Sequence, residues 1–261
     1  MKNPEISYPA KITWCPGCGN FGILSALKKA IENLVSQGVK RENIVLFTGI
    51  GCHAKIVDYL NINTFYSLHG RAIPPAMGAR IANKELYVIV CSGDGDSFDE
   101  GLDHLIYAAK RNANITVILH DNRTFALTTG QYTALSPKGF KGKSTPQGSP
   151  EIPLNPHELL LSSGATFLAR GYSAKIDHLA EMMEHAIKHK GFSFLEVLQP
   201  CVAWLNPTQE YNQKVYEIPE ENISSREEAA KKIREWPYTN GDKIPLGIFF
   251  KENKPIFEEN I

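Results

Sequence analysis

The chain has 261 residues, of which 43% are hydrophobic and 21% charged, an ordinary composition for a globular protein with a sizeable core. Lysine plus arginine and aspartate plus glutamate number 28 each, so net charge supplies no attraction to nucleic acid or to an anionic membrane. No apolar run approaches the roughly 20 residues of a membrane helix, and the amino-terminal stretch has no apolar export signal. We therefore expect a cytoplasmic protein with no nucleic-acid or membrane partner.

In chain order, hydrophobic patterning predicts helices that alternate with buried strands. The helices are predicted at 20–37, 74–84, 98–111 and about 177–189, and the strands at 43–49, 85–96, 114–122, 164–170 and 192–198. Continuous apolar strands separated by helices are typical of a mostly parallel sheet with helices on both faces. The predicted fold class is therefore α/β.

Four of the predicted strands end in residues that can do chemistry. These ends are "TGIGCH", "CSGDGD", "LHDNRT" and "VLQPC". Ligands of open parallel sheets bind at the carboxyl ends of the strands. We therefore expect the functional site at this edge of the sheet.

The "GDG" that follows the strand at 85–96 is a weak phosphate-binding signal by itself, because Asp-Gly is a common turn pair. Its position strengthens the signal, since glycines allow backbone N–H groups to approach a phosphate. Asp94 offers an oxygen ligand for Mg²⁺, and Asn122, 28 positions later at the next strand end, offers a second. A different kind of phosphate-binding site stays open at this point.

The cysteine pattern favours metal or redox chemistry over disulfides. The chain has five cysteines, an odd number, and Cys15 and Cys18 form a C-x-x-C step. Such a step serves zinc binding, thiol–disulfide exchange or iron–sulfur ligation, or it arises by chance from composition. Cys91 lies within an apolar strand and is expected to be a packed core residue.

Two segments fall outside this regular pattern. Residues 136–150 are rich in Pro, Gly, Ser and Lys, and are expected to form either a mobile surface loop or a lid or partner-binding loop. Residues 206–261 are mixed in character. We expect them to be a C-terminal extension that packs on the domain formed by 1–205 or on another subunit.

The motifs taken together resemble a known family. "WCPGCGN", "GIGCH", "HGRA", "GDGD", "DN…LTTGQ" and "LQPCV" occur in this order over roughly residues 10–205, and "IPLGIFFKE" follows at 244–252. This combination resembles the beta subunit of the 2-oxoacid:ferredoxin oxidoreductases, especially the short archaeal and bacterial type. Each motif is common alone, but the ordered set is highly specific.

The resemblance implies thiamine diphosphate, Mg²⁺ and one [4Fe–4S] cluster as cofactors. The implied cluster ligands are Cys15, Cys18, Cys52 and Cys201. The implied Mg²⁺ ligands are Asp94, Asn122 and the main-chain carbonyl of Thr124. The implied cofactor-binding residues are Ile50, Gly51, Cys52, His53, His69, Gly95, Asp96, Ala126 and Leu127, and the substrate-side candidates are Lys55 and Leu127.

Three positions depart from the family pattern. His53 stands where the family usually has Ser after the cysteine, and Ala126 stands where it usually has Gly. Thr129 stands where some members carry Lys, so the pattern does not specify the 2-oxo acid.

The resemblance also implies partners. Thiamine enzymes use a Glu from a second domain to activate the cofactor, and no carboxylate of this chain matches that role. We therefore expect the Glu on an alpha, or fused gamma–alpha, partner subunit. The implied reaction is the oxidative decarboxylation of pyruvate, 2-oxoglutarate or a related 2-oxo acid to acyl-coenzyme A, with ferredoxin as electron acceptor.

Two other functions stay open from the sequence. One is the thiamine-binding subunit of a non-oxidative 2-oxo acid decarboxylase, which would not need four cysteines. The other is an electron-transfer module without thiamine chemistry, which would not need the "GDG…DN" pair. Structural zinc remains the rival of the cluster.

Overall fold

The structure is a computed structural model that describes residues 6–219, 224–239 and 241–261. Its α-helices are α1 (Asn20–Ser36), α2 (Ile73–Ala82), α3 (Asp94–Phe98), α4 (Leu102–Arg111), α5 (Pro156–Ser163), α6 (Ile176–Lys188), α7 (Thr208–Lys214) and α8 (Arg226–Arg234). Its strands are β1 (Ile44–Thr48), β2 (Asn63–Tyr66), β3 (Tyr87–Gly93), β4 (Thr116–Asp121), β5 (Phe167–Tyr172), β6 (Ser193–Leu198), β7 (Val215–Glu217) and β8 (Ile244–Lys251).

The described strands form one sheet in the order β2-β1-β3-β4-β6-β5-β8-β7. The six strands from β2 to β5 are parallel, whereas β8 runs antiparallel to β5 and carries β7 beside it. The predicted class, a mostly parallel sheet with helices on both faces, is confirmed. Since β1, β3, β4 and β6 are neighbours, their carboxyl ends lie at one edge, as expected for ligand binding.

Two apolar layers cover the sheet. On one face, α1 and α6 pack against each other and bury residues such as Leu27, Ile31 and Met183. On the other face, α2, α4, α5 and α8 bury a second set that includes Leu105, Leu160 and Ile233. The central strands face both layers, which explains why they are apolar throughout.

The structure corrects one predicted element at a point that matters for the site. The strand predicted at 85–96 ends at Gly93, and "DGDSF" forms α3. The helix predicted at 98–111 accordingly begins only at Leu102. Asp94 is therefore the first residue of a helix, where unpaired backbone N–H groups and the helix dipole favour negative charge.

Sequence patterning missed three strands. β2 has exposed residues throughout and no apolar run, because it lies at the edge of the sheet. β7 has only three residues. β8 is buried but contains Pro245 and Gly247, the latter with a φ of 132°, and both residues disfavour the prediction of a strand.

The C-terminal residues pack on the same sheet as the rest of the chain, since β8 pairs with β5. A domain boundary after residue 205 stays a prediction. The loop at 136–150 closes on itself through Gly139 N–H, which donates to Ser149 O at 2.9 Å, and Ser149 N–H, which donates to Phe140 O at 2.9 Å. Nowhere in the described ranges is a helix both long and apolar enough to cross a membrane.

Candidate cofactor site

A cleft with an empty volume of about 400 Å³ opens at the carboxyl ends of β1, β3 and β4. It is lined by Ile50, Gly51, Cys52, His53, His69, Gly93, Asp94, Gly95, Asp96, Asn122, Thr124, Phe125, Ala126, Leu127 and Thr128. Every residue predicted to bind thiamine diphosphate or Mg²⁺ is in this set. The structure thus brings them together, although the role of each stays a prediction.

Asp94 is a buried carboxylate at the floor of the cleft. Its Oδ2 accepts a 2.6 Å hydrogen bond from the Thr133 hydroxyl. Burial nevertheless raises the pKa of Asp94 to about 7, because the Thr133 bond only partly offsets the loss of solvent. A bound divalent cation would stabilise the ionised form of such a group.

The next residue, Gly95, leaves space that a side chain would take away. A Cβ at this position would lie 2.2 Å from Cε1 of Phe125. The glycine therefore lets the Phe125 ring pack directly on the backbone of α3.

Asn122 follows β4 and is oriented by two hydrogen bonds. Its Oδ1 accepts from the Thr124 N–H at 3.0 Å, and its Nδ2 donates to Oε1 of Gln199 at 3.2 Å. The β3–β4 register pairs Gly93 with His120, so Asp94 and Asn122 leave adjacent strands at nearly the same level.

Asp96 ties two loops to the β3–α3 segment beneath the cleft. Its Oδ1 accepts from the backbone N–H of Gly70 at 2.7 Å and of Ile50 at 3.2 Å, and its Oδ2 accepts from the Ser92 hydroxyl at 2.6 Å. Burial by itself would raise the pKa of Asp96. The hydrogen bond and charge of His53, together with the hydrogen bonds from Ser92 and Gly70, instead hold that pKa below its usual value. The ionised Asp96 therefore fixes the shape of the cleft wall.

Two imidazoles face Asp96. Nε2 of His53 lies 3.4 Å from its Oδ2, and Nδ1 of His69 lies 3.3 Å from its Oδ1. His53 is buried against Gly51 and Gly93, where a Cβ on either glycine would come within 2.8 Å of its ring. The histidine that replaces the family's usual serine thus points its side chain toward Asp96.

The four cysteines predicted to hold the cluster lie near one another. Cys52 lines the cleft, and burial raises its pKa to about 11, with further raising from the charges of Cys18, Cys201 and Cys15. Burial likewise raises the pKa of Cys18, and Cys201 and Cys15 add to this effect. All four thiols are free, and Cys15 is exposed.

Hydrogen bonds fasten the three cysteine-bearing loops together. The indole N–H of Trp14 donates to the carbonyl of Cys52 at 2.7 Å. The backbone N–H of Gly19 donates to the carbonyl of Pro200 at 3.3 Å. Gly17 has a φ of 81°, which suits glycine and lets the "CPGC" segment turn back on itself.

Some predicted residues lie elsewhere or stay untested. Lys55 does not line the cleft; its Nζ donates to the carbonyl of Thr13 at 3.3 Å. Cys91 is buried in the core, as expected. Within the described part of the chain, no three His, Cys, Asp or Glu side chains converge as ligands of a single metal ion.

Sequence reasoning missed two residues that hold the predicted ligands in place. Thr133 lies 39 positions from Asp94, and Gln199 lies 77 positions from Asn122. Thr133 belongs to none of the motifs, and Gln199 stands in "LQPCV", where the resemblance gives a role to the cysteine alone. Only the tertiary fold places these two side chains against the predicted ligands.

Family comparisons define the class of protein. Residues 49–197 match the family model described as "Thiamine pyrophosphate enzyme, C-terminal TPP binding domain". Residues 201–261 match the model for the C-terminal part of the pyruvate ferredoxin oxidoreductase beta chain. The chain therefore contains a thiamine-diphosphate-binding domain followed by a segment typical of ferredoxin-linked oxidoreductases.

Similar proteins narrow the class further. The 2-oxoacid:ferredoxin oxidoreductase subunit beta of a Sulfolobus species is 42% identical, over 95% of this chain and 85% of that protein. The 2-oxoglutarate synthase subunit KorB of Methanothermobacter thermautotrophicus is 33% identical, over 100% of this chain and 91% of that protein. A solved structure of 2-oxoglutarate:ferredoxin oxidoreductase from Magnetococcus marinus, with 2-oxoglutarate, coenzyme A and succinyl-CoA bound, superimposes with a TM-score of 0.93 at 33% identity. That match covers 100% of this chain and 89% of the other.

The chain belongs to the 2-oxoacid:ferredoxin oxidoreductase beta-subunit family. It is thus a subunit of an oxidoreductase, and membership of a beta-subunit family implies a partner subunit.

Proposed function

We propose that this subunit binds thiamine diphosphate through Mg²⁺, carries one [4Fe–4S] cluster, and takes part in the oxidative decarboxylation of a 2-oxo acid. The products are acyl-coenzyme A and CO₂, with the electrons leaving through the cluster to ferredoxin. The observation that carries this proposal is the position of Cys52. It both lines the glycine-rich cleft and neighbours the other three cysteines.

The residues at the floor of the cleft fit a diphosphate–Mg²⁺ group. Asp94 is a buried carboxylate whose Oδ2 bonds to a neutral hydroxyl, and the Oδ1 of Asn122 is turned away from Gln199. Hard oxygen atoms of this kind are the ligands that Mg²⁺ prefers. The backbone carbonyl of Thr124 is proposed as the third protein ligand, and the first N–H groups of α3 are proposed to face the diphosphate.

The cysteines fit an iron–sulfur cluster. A [4Fe–4S] cluster takes four thiolates, and its ligands surround a body larger than a single ion. Thiols with pKa values raised by burial, such as Cys52 at about 11, become thiolates when they coordinate iron. Cys201 is buried and Cys15 is exposed, so one side of the set of four cysteines faces solvent.

When bound, thiamine diphosphate supplies the electron-accepting ring that allows a 2-oxo acid to lose CO₂. The acyl carbon is oxidised by two electrons, and the coenzyme A thiol takes the acyl group and releases its proton. Two successive one-electron transfers, through the proposed cluster to ferredoxin, would balance this oxidation. Asp96 and Ser92 keep the cleft wall ordered, and Phe125 covers one side of it.

The partner subunit is proposed to supply the Glu that activates the cofactor, and part of the substrate pocket. Leu127, 46% exposed at the rim of the cleft, stays a candidate for contact with the 2-oxo acid side chain, as does Lys55. Because the M. marinus structure contains 2-oxoglutarate, this acid should be assayed first, beside pyruvate and branched-chain 2-oxo acids. Reduction of ferredoxin or a viologen by the reconstituted complex would rank these substrates.

The cofactor assignment is tested on protein purified without oxygen, which should carry about four irons per chain. The Cys52→Ala variant should lose the iron, whereas Cys91→Ala should keep it, because Cys91 is buried in the core of β3. Asp94→Ala should lose thiamine diphosphate and keep iron. A colourless, iron-free wild-type protein, or zinc in place of iron, would refute the electron path.

A further inference from the structure

Gln199 lies between the two proposed cofactor groups. It follows β6 and is 1% exposed, and the family resemblance assigns it no role, although it stands two positions before Cys201. Its Oε1 accepts from Nδ2 of Asn122 at 3.2 Å, and its Nε2 lies 3.6 Å from Sγ of Cys18. The same Nε2 donates to the carbonyl of Pro200 at 3.1 Å.

These bonds determine the orientation of the side-chain amides of Gln199 and Asn122. The carbonyl of Pro200 can only accept a hydrogen bond, so Nε2 of Gln199 must be the atom that faces it. Oε1 of Gln199 then faces Asn122, which must present its Nδ2 there. The Oδ1 of Asn122 is consequently directed to Thr124 N–H and to the cleft, which is the orientation that a metal ligand requires.

The same amide approaches the sulfur of Cys18, with Nε2 of Gln199 at 3.6 Å from Sγ. The backbone N–H of Asn20 also bonds to the Cys18 thiol and acts against the raising effect of burial on its pKa. N–H groups that point at a ligand sulfur withdraw electron density from a cluster and raise its reduction potential. Cys18 Sγ therefore has donors from both Asn20 and Gln199.

The local packing leaves room for this amide. A Cβ on Gly19 would lie 3.0 Å from Cγ of Gln199 and 3.2 Å from Cδ of Pro200. The glycine after the second cysteine thus allows the Gln199 side chain to lie against the "CPGC" turn. Gln199 directly follows the end of β6, so its side chain is anchored on a rigid strand end.

We propose that Gln199 is a positioning residue that serves both cofactors: it orients the Asn122 amide toward Mg²⁺ and tunes the cluster through the Cys18 sulfur. This inference rests on the proposed function, since it takes Asn122 and Cys18 as ligands. It adds one residue that joins the two sites.

The test compares Gln199→Met and Gln199→Glu with wild type in the full chain, purified without oxygen. Methionine keeps the volume and removes both hydrogen-bonding roles. Glutamate keeps an acceptor for Asn122 but offers no donor to the sulfur when ionised. Gln37→Met, at an exposed glutamine after α1, is the matched control.

Two quantities are measured besides activity: the Mg²⁺ concentration that gives half-maximal thiamine diphosphate binding, and the cluster reduction potential from a redox titration followed by electron paramagnetic resonance. For Gln199→Met we expect that Mg²⁺ concentration to rise about 10-fold and the potential to fall. For Gln199→Glu we expect the potential to fall with little change in the Mg²⁺ requirement. Gln37→Met should change neither.

The inference is overturned if Gln199→Met retains iron and thiamine diphosphate binding while either quantity stays at the wild-type value. Failure of the proposed function itself would look different. In that case the wild-type chain would lack iron or would not bind thiamine diphosphate.

Discussion

At the scale of single residues, the cleft depends on positions where no side chain fits. Gly95 gives its space to Phe125, and Gly49 lies where a Cβ would come within 2.1 Å of the Asp96 carboxylate. Overpacking of this kind displaces neighbours at a cost of about 1–3 kcal/mol. Here the displaced neighbours are the residues that line or support the candidate cofactor site.

We expect Gly95→Ala to weaken thiamine diphosphate binding at least about 10-fold, because the added Cβ forces the Phe125 ring to move. Fluorescence titration with thiamine diphosphate and Mg²⁺ would measure this. Gly78→Ala in α2 is the matched control, since a Cβ there meets nothing within 4 Å and alanine favours a helix. Equal affinity in both variants would show that the close contact at Gly95 does not matter.

A buried histidine predicts a pH dependence of stability. Burial lowers the pKa of His157 to about 4, although its Glu196 partner acts in the opposite direction. The unfolded chain takes up a proton near pH 6.5 and the folded chain does not, so stability falls as pH decreases below that value. As the pH falls from about 7.5 to about 5.5, the buried His157 should lower the free energy of unfolding by about 1 kcal/mol.

The contribution is isolated by urea unfolding of wild type and His157→Gln at both pH values. The variant should lose that part of the pH dependence, whatever its overall stability. An unchanged slope would mean that His157 is charged in the folded state. His185→Gln, at a half-buried histidine of α6, is the matched control.

At the scale of elements, one buried ion pair attaches the C-terminal segment to the sheet. Arg170 on β5 and Glu196 on β6 are cross-strand neighbours, and Nε of Arg170 donates to Oε2 of Glu196 at 2.6 Å. The hydroxyl of Tyr238 donates to the other Glu196 oxygen, and the Arg170 guanidinium lies 4.8 Å from the centre of the Trp236 ring. The ion pair, together with its contacts to Tyr238 and Trp236, therefore fixes β5 and β6 relative to the segment before β8.

We expect Glu196→Gln to destabilise the chain by about 3–5 kcal/mol, because it leaves the buried Arg170 without a counter-charge. Urea unfolding would measure the loss. Glu210→Gln, which breaks the exposed Lys214–Glu210 pair, should cost less than about 1 kcal/mol. A loss below about 1 kcal/mol for Glu196→Gln would show that the uncompensated charge of Arg170 is not costly.

At the scale of the whole molecule, the chain is one part of an enzyme. Large apolar side chains remain exposed on and beside the edge strand β2: Phe65 is 49% exposed, Tyr66 47% and Leu68 75%. Exposed apolar groups in one place are typical of surfaces that bind another protein. This agrees with membership of a beta-subunit family.

We expect the isolated chain to bind thiamine diphosphate but to show no 2-oxo acid decarboxylation, because the activating Glu is expected on the partner. The measurement is CO₂ release with and without the co-expressed partner subunit. A full rate from the isolated chain would place the activating carboxylate on this chain instead.

Much of the fold followed from local patterns. The helices at Asn20–Ser36 and Ile176–Lys188 and the strands β1, β3, β4, β5 and β6 were predicted within a few residues, because each buries a continuous or periodic apolar face. β2 and β8 were missed, because an exposed edge strand and a strand with Pro and Gly show no such pattern. The short helix at Asp94 was assigned to the preceding strand, since "DGD" is typical of turns.

The sequence by itself determined the family, the α/β class and the residues expected around the cleft, because ordered motifs at strand ends carry that information locally. Only the tertiary structure decided that Asp96 bonds to the loops at Ile50 and Gly70, that Thr133 bonds to Asp94, and that Gln199 joins Asn122 to Cys18. These contacts join residues distant along the chain, and they depend on strand order and register. Neither strand order nor register can be read from the few residues that surround each of these side chains.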